Sequence, residues 1–179
     1  MNAIDCIKVR RSIRKFEDRP VEPELIRSLV ETARYAPTWK NTQTTRYIAV
    51  TDPELKARLA GCTMGYEGNT RIINGAPVLM VLTTVHGRAG FEKDGSYSTS
   101  KEDRWEVFDA GICAQTFCLA ACNAGLGTVM MGIYNEAEVT EILKLPEGQI
   151  VSCLIALGYP AVGPDAPKRK DVDELLSFR

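Results

Sequence analysis

Between Pro23 and Arg34, apolar positions recur at helical spacing, so that Leu25, Ile26, Leu29, Val30 and Ala33 share one face. Pro23 falls in the first turn, where a proline is tolerated, and Ala36-Pro37 stops the helix. A short helix is predicted over residues 2–10, with Ile4 and Ile7 on one side. Asp52-Pro53 opens another, which carries Leu55 and Leu59 and ends at Gly61. The longest helical pattern runs from Trp105 to Ala124. Its apolar surface reads as Val107 or Phe108, Ile112, Phe117, Leu119 and Ala120, and Gly125-Leu-Gly127 ends it. A last helix is predicted from Glu136 to Leu143. Short strands are predicted at Tyr47–Val50, Val78–Leu82, Val129–Met131 and Val151–Leu157. The second of these is an unbroken apolar run, the mark of a strand buried on both faces.

Helices and strands alternate without a strict βαβ rhythm, which predicts a single α+β domain over residues 1–179. Gly87 to Arg104, rich in Gly, Ser and charge of both signs, reads as a long loop or a mobile lid. Pro160 to Pro167 cannot continue any element. The apolar tail beyond it (Leu175, Leu176, Phe178) either folds back on its own domain or packs on a second subunit.

Composition narrows the function classes. The 22 Lys and Arg against 23 Asp and Glu give a net charge of −1, which provides no global field for nucleic acid or an anionic membrane. No apolar run approaches the roughly 18 residues of a membrane span, and the first residues lack the apolar stretch of a signal peptide. The expectation is a cytoplasmic protein with neither nucleic-acid nor membrane partner. Six cysteines without C-x-x-C spacing and one histidine, His86, read as small buried residues in a reducing compartment, with no metal site.

Three stretches remain as candidate chemistry. Arg10-Arg-Ser-Ile-Arg14 offers forked guanidinium donors suited to a phosphate, although an isolated run of this length is more often a solvated basic stretch. Ala36-Pro-Thr-Trp-Lys-Asn-Thr-Gln43 is a helix exit dense in hydrogen-bonding side chains, as ligand-positioning loops and plain turns both are. Gly125-Leu-Gly-Thr-Val-Met-Met-Gly132 follows a helix and enters a strand, the reverse of a dinucleotide-binding fingerprint. No phosphate-loop signature and no plausible nucleophile triad is present.

In this order, together with Gly75-Ala-Pro-Val78 and a basic residue near Arg169, these motifs resemble the nitroreductase family of FMN-dependent oxidoreductases across nearly the whole chain. The resemblance implies an α+β fold whose central mixed or antiparallel sheet is flanked by helices. It also implies a homodimer that exchanges its C-terminal tails and holds FMN at the interface. Carried over by position, Arg10, Arg11 and Ser12, with Lys168 or Arg169, would hold the FMN phosphate. Arg14 and Arg71, with Asn69 nearby, would face the N1–C2=O edge of the flavin. Pro37, Thr38, Trp39 and Asn41 would come from the other subunit, and Met131 and Gly132 would present backbone N–H groups to the N5 side. The implied reaction is ping-pong, from NADPH or NADH to a small acceptor such as a nitroaromatic, a quinone or a flavin. Loop 87–104 and Trp105 are candidate walls of the acceptor pocket. A reductive dehalogenase-like or flavin-degrading relative, and an FMN binder without turnover, are the alternatives. The loop departs from the family pattern in Thr44-Thr-Arg46, and in Trp39 and Lys40, which are bulky there.

Overall fold

A computed structural model describes residues 2–179. The first helix, α1 (Ala3–Val9), is capped by the Asn2 side chain, which accepts from the Asp5 N–H at 2.9 Å. It buries Cys6 and turns Ile4, Ile7 and Val9 outward. α2 (Pro23–Ala33) begins on its proline as expected and buries Ile26, Leu29 and Ala33. After the strand β1 (Thr45–Val50), Asp52 caps α3 (Pro53–Gly61) by accepting from the Leu55 N–H at 2.7 Å.

The next helix, α4 (Glu67–Gly75), escaped the sequence reading. Its Gly68, Asn69, Thr70, Asn74 and Gly75 are poor helix formers, so local propensity argues against it. Tertiary burial overrides that, because Ile72 and Ile73 drop into the core.

The remaining elements are β2 (Val78–Val85), α5 (Arg104–Asn123), β3 (Gly127–Met131), α6 (Glu136–Leu143), β4 (Gln149–Gly158) and the short α7 (Val172–Leu175). The four strands form one antiparallel sheet in the order β1-β2-β4-β3. Val78 faces Leu157 across the central pair, and the register slips once, between Leu82 and Thr83. Side chains of a strand alternate between faces, so the sheet divides the core in two. On one side Leu79, Val81, Leu154 and Ala156 meet Leu59, Ile73 and Val139 from α3, α4 and α6. On the other, Met80, Leu82, Ile155 and Leu157 meet Leu29 of α2 and Phe117 of α5.

The core face of α5 includes Phe117, as expected, with Ile112, Leu119 and Ala120 half-buried, but it does not extend to Val107 or Phe108. Val107 and Phe108 are 72% and 58% exposed, while Ala110, Cys113, Ala114, Phe117, Cys118 and Ala121 are buried. The small side chains let α2 and the sheet approach closely, and that stripe carries Glu106 and Asp109 inside with it.

Loop 87–104 folds onto itself. Gly90, at φ +90°, lies where a Cβ would come within 2.4 Å of the Glu102 carbonyl. The Ser98 N–H donates to the Gly90 carbonyl, and Trp105 Nε1–H donates to Thr99 Oγ1 at 2.9 Å. The tail leaves Leu175, Leu176 and Phe178 exposed, the last at 86%, so it does not fold back on its own core.

Candidate functional site

The Arg10–Arg14 segment is built against β3. Ser12 bridges Thr128 in parallel, and the Ile13 N–H donates to the Thr128 carbonyl at 2.9 Å. Gly127 permits this approach, since a Cβ there would lie 2.5 Å from Ile13 Cγ1. That assigns the glycine stretch a packing role: Gly125, at φ +78°, ends α5, and Gly127 admits the basic segment. Arg10, Arg11, Ser12 and Arg14 then meet Arg169 and Asp165 around a cavity of about 350 Å³. Four guanidiniums oppose one carboxylate there. Arg11 donates to the Lys8 and Arg10 carbonyls at 2.7 and 2.9 Å, and Arg14 to the Ser12 carbonyl at 3.2 Å. Arg10 Nε is buried without a hydrogen-bond partner. The basic residue that joins this group is Arg169; Lys168 stands exposed beside it.

The Pro37–Gln43 loop lines other cavities. Thr38 and Gln43 border an apolar one of about 360 Å³ with Ile26, Tyr47 and Met80. The Gln43 N–H donates to Thr38 Oγ1 at 3.1 Å and closes the loop. Lys40, Asn41 and Gln43 all take positive φ, at 43°, 56° and 49°. That is strained backbone for side-chain-bearing residues and needs outside support. Trp39 packs on Trp105 with ring centroids 4.6 Å apart. Asn69, buried on α4, donates to the Ile133 carbonyl at 3.3 Å and so lies at the exit of β3, next to Met131 and Gly132. Arg71 stands exposed on the same helix, paired with Glu67 at 3.4 Å.

A family model described as the nitroreductase family matches residues 7–65 and 64–159. The chain belongs to the nitroreductase family. It is 31% identical over 171 residues to the NADPH-flavin oxidoreductase of Vibrio harveyi, covering 94% of this chain and 70% of that one. The crystal structure of nitroreductase A from Vibrio parahaemolyticus superposes with a TM-score of 0.85 at 28% identity, covering 99% of this chain and 76% of that one. A structure from Exiguobacterium sibiricum solved in complex with FMN shares the fold, with a TM-score of 0.87 at 17% identity over 100% of this chain and 98% of that one.

In this nitroreductase-family chain, two residues that sequence reasoning missed support the loops. Asp109, buried on α5, accepts the Trp39 N–H at 2.8 Å and pins the strained loop. Burial pushes its carboxyl above the usual range, and the Trp39 bond partly offsets this. One turn earlier, the equally buried Glu106 accepts the Gly87 N–H at 2.7 Å and lies 2.9 Å from His86 Nδ1. The available signal was their spacing, since Glu106, Asp109 and Cys113 continue the stripe of small residues. All six thiols are free. Burial raises Cys113 and Cys118, and pushes Cys153 up to about 12, which keeps them protonated.

Proposed function

We propose that the protein is an FMN-dependent oxidoreductase that passes two electrons from NADPH or NADH to a small acceptor. The observation that carries this reading is the basic cavity at Arg10, Arg11, Ser12 and Arg169. Its surplus positive charge and the orphaned Arg10 Nε fit a phosphate monoester such as that of FMN. FMN, if bound there, would supply the redox chemistry for two-electron transfer from the nicotinamide to a nitroaromatic, quinone or flavin in ping-pong order. The chain's own residues bind and orient. Arg14 and Arg71 hold positive charge for the N1–C2=O edge, which favours an anionic reduced ring. Asn69 donates to the Ile133 carbonyl and so holds the turn after β3, from which Met131 and Gly132 would offer backbone N–H groups to the N5 side of the flavin.

Pro37, Thr38, Trp39 and Asn41 complete the site from a second copy of the chain. Within one chain, Thr38 and Trp39 line cavities other than the Arg10 cavity, which supports this division. The exposed apolar residues of α1, of the first half of α5 and of the tail supply area for such a homodimer, with the tails exchanged. Removing residues 172–179 should weaken the dimer, raising its dissociation constant in sedimentation equilibrium about tenfold or more; an unchanged constant would refute the exchange.

An absorption spectrum before and after anaerobic NADPH or NADH tests the activity. Flavin bands that bleach are expected. A colourless protein that takes up no added FMN would overturn the assignment.

A further inference from the structure

Between the Trp39–Asn41 turn and the start of loop 87–104 lies a second basic cavity, of about 360 Å³. Its wall carries Lys40, Arg88 and Lys93 against one carboxylate, Glu92. Glu92 is already engaged, accepting from Lys40 Nζ at 3.3 Å and from the Ser98 hydroxyl. Arg88 and Lys93 make no ion pair among the described residues. Two further lining residues carry buried polar atoms without a partner: Trp39 Nε1 and Thr42 Oγ1. Buried polar groups are seldom left unmatched, and such atoms mark places where a ligand or a water completes the set. The base of the cavity is fixed. Ala89 and Gly90 are buried beside Arg88, and the Gly87 N–H is tied to Glu106 at 2.7 Å.

We propose that this cavity seats an anionic substituent, a phosphate monoester or a carboxylate, of the ligand that approaches beside Trp39. Arg88 supplies the planar forked donors and Lys93 a point charge, with the Trp39 indole N–H and the Thr42 hydroxyl completing the shell. Lys40 is engaged with Glu92, which leaves Arg88 and Lys93 as the cations of this wall that make no ion pair among the described residues. The proposal rests on the oxidoreductase reading, and two sources share this chemistry: the 2′-phosphate of NADPH, and an acceptor bearing an acid group.

The test reads binding without turnover, so it stands whether or not bound flavin is reduced. The purified protein is titrated calorimetrically with adenosine 2′,5′-bisphosphate and with 5′-AMP. Its tryptophan fluorescence is titrated with 4-nitrobenzoate and with nitrobenzene. If the anion is the 2′-phosphate, the bisphosphate binds about tenfold or more tighter than AMP, and Arg88→Ala/Lys93→Ala abolishes that preference. The preference for NADPH over NADH in flavin reduction collapses with it. If the anion belongs to the acceptor, the same loss appears in the nitrobenzoate preference instead. Both side chains are exposed, so the variant should fold, and its circular dichroism should match wild type. Neither preference in the wild type, or preferences that survive the double substitution, would overturn the proposal. Failure of flavin reduction with an intact anion preference would instead refute the oxidoreductase reading alone.

Discussion

Gly127→Ala tests whether the Arg10–Arg14 segment owes its place to contact with β3. The new Cβ would lie 2.5 Å from Ile13 Cγ1, 2.7 Å from its Cβ and 2.9 Å from its Cγ2. Ordinary carbon contacts begin at about 3.5 Å, so the overlap is about 1 Å. Only Cγ1 and Cγ2 rotate away with χ1; the Cβ contact remains, and the segment itself must move. Overpacking of this kind costs about 1–3 kcal/mol. Displacing Ile13 also breaks its N–H bond to Thr128, which adds about 1 kcal/mol. The expected loss in urea unfolding is therefore about 2–4 kcal/mol. Ile13→Ala removes Cγ1 and Cγ2, so the double variant should be more stable than the sum of the single losses by about 1 kcal/mol or more. Phosphate-cavity integrity is read in parallel as FMN affinity, which Gly127→Ala should weaken. Strict additivity in the cycle, or unchanged stability on Gly127→Ala, would refute the steric account.

Arg14→Ala should weaken FMN binding by about tenfold, as the loss of one charge-assisted contact implies, and should slow reduction by NADPH. Unchanged affinity and rate would remove Arg14 from the site. Asp109→Asn has a pH signature. Burial raises the Asp109 carboxyl above its ordinary value of 3.8, so the stability this group contributes is present below that value and lost as pH rises through the higher folded one. The Asn variant lacks this titration, and its stability relative to wild type should climb from about pH 4 upward and then level off. A relative stability that is flat or falls between about pH 4 and about pH 7 would show that the Trp39 bond outweighs desolvation.

How far the sequence showed all this depended on where each signal lay along the chain. β2 was visible from Val78 to Leu82 because an unbroken apolar run needs no neighbour to interpret it. It continues through Thr83 and Thr84, which are buried with partners: Thr83 Oγ1 donates to Gln149 Oε1 at 3.0 Å, and Thr84 pairs with Ser152 at 2.7 Å. No window on β2 alone contains those partners. The Arg10–Arg14 half of the site was legible because its residues adjoin in sequence. Its link to Arg169 was supplied by resemblance and is visible physically only once the chain has folded. α4 was missed because its residues disfavour helix locally. On α5, Phe117 lies in the core as its spacing suggests. The first turns bury Glu106, Asp109 and Ala110 rather than Val107 and Phe108, because close packing there selects small side chains and loop-bonded acids over large apolar ones.

That phase of α5 has a consequence for the site. It brings Glu106 and Asp109 inside, one helical turn apart, at a desolvation cost that no core requires of two acids. Each carboxylate satisfies a backbone N–H on a loop, Gly87 for one and Trp39 for the other. The turn held by Asp109 includes three left-handed residues, Lys40, Asn41 and Gln43, and would relax if released. Both walls of the second basic cavity are thus fixed to the same helix, and that helix is fixed in turn by Ala114, Phe117, Cys118 and Ala121 in the core. Pre-positioned loops bind a ligand without first losing their own freedom, so the unfavourable burial of the two acids is offset when the ligand arrives. By the same logic, the loops are the part of the molecule most sensitive to a change at either acid, while the sheet, which neither acid touches through a hydrogen bond, should keep its stability.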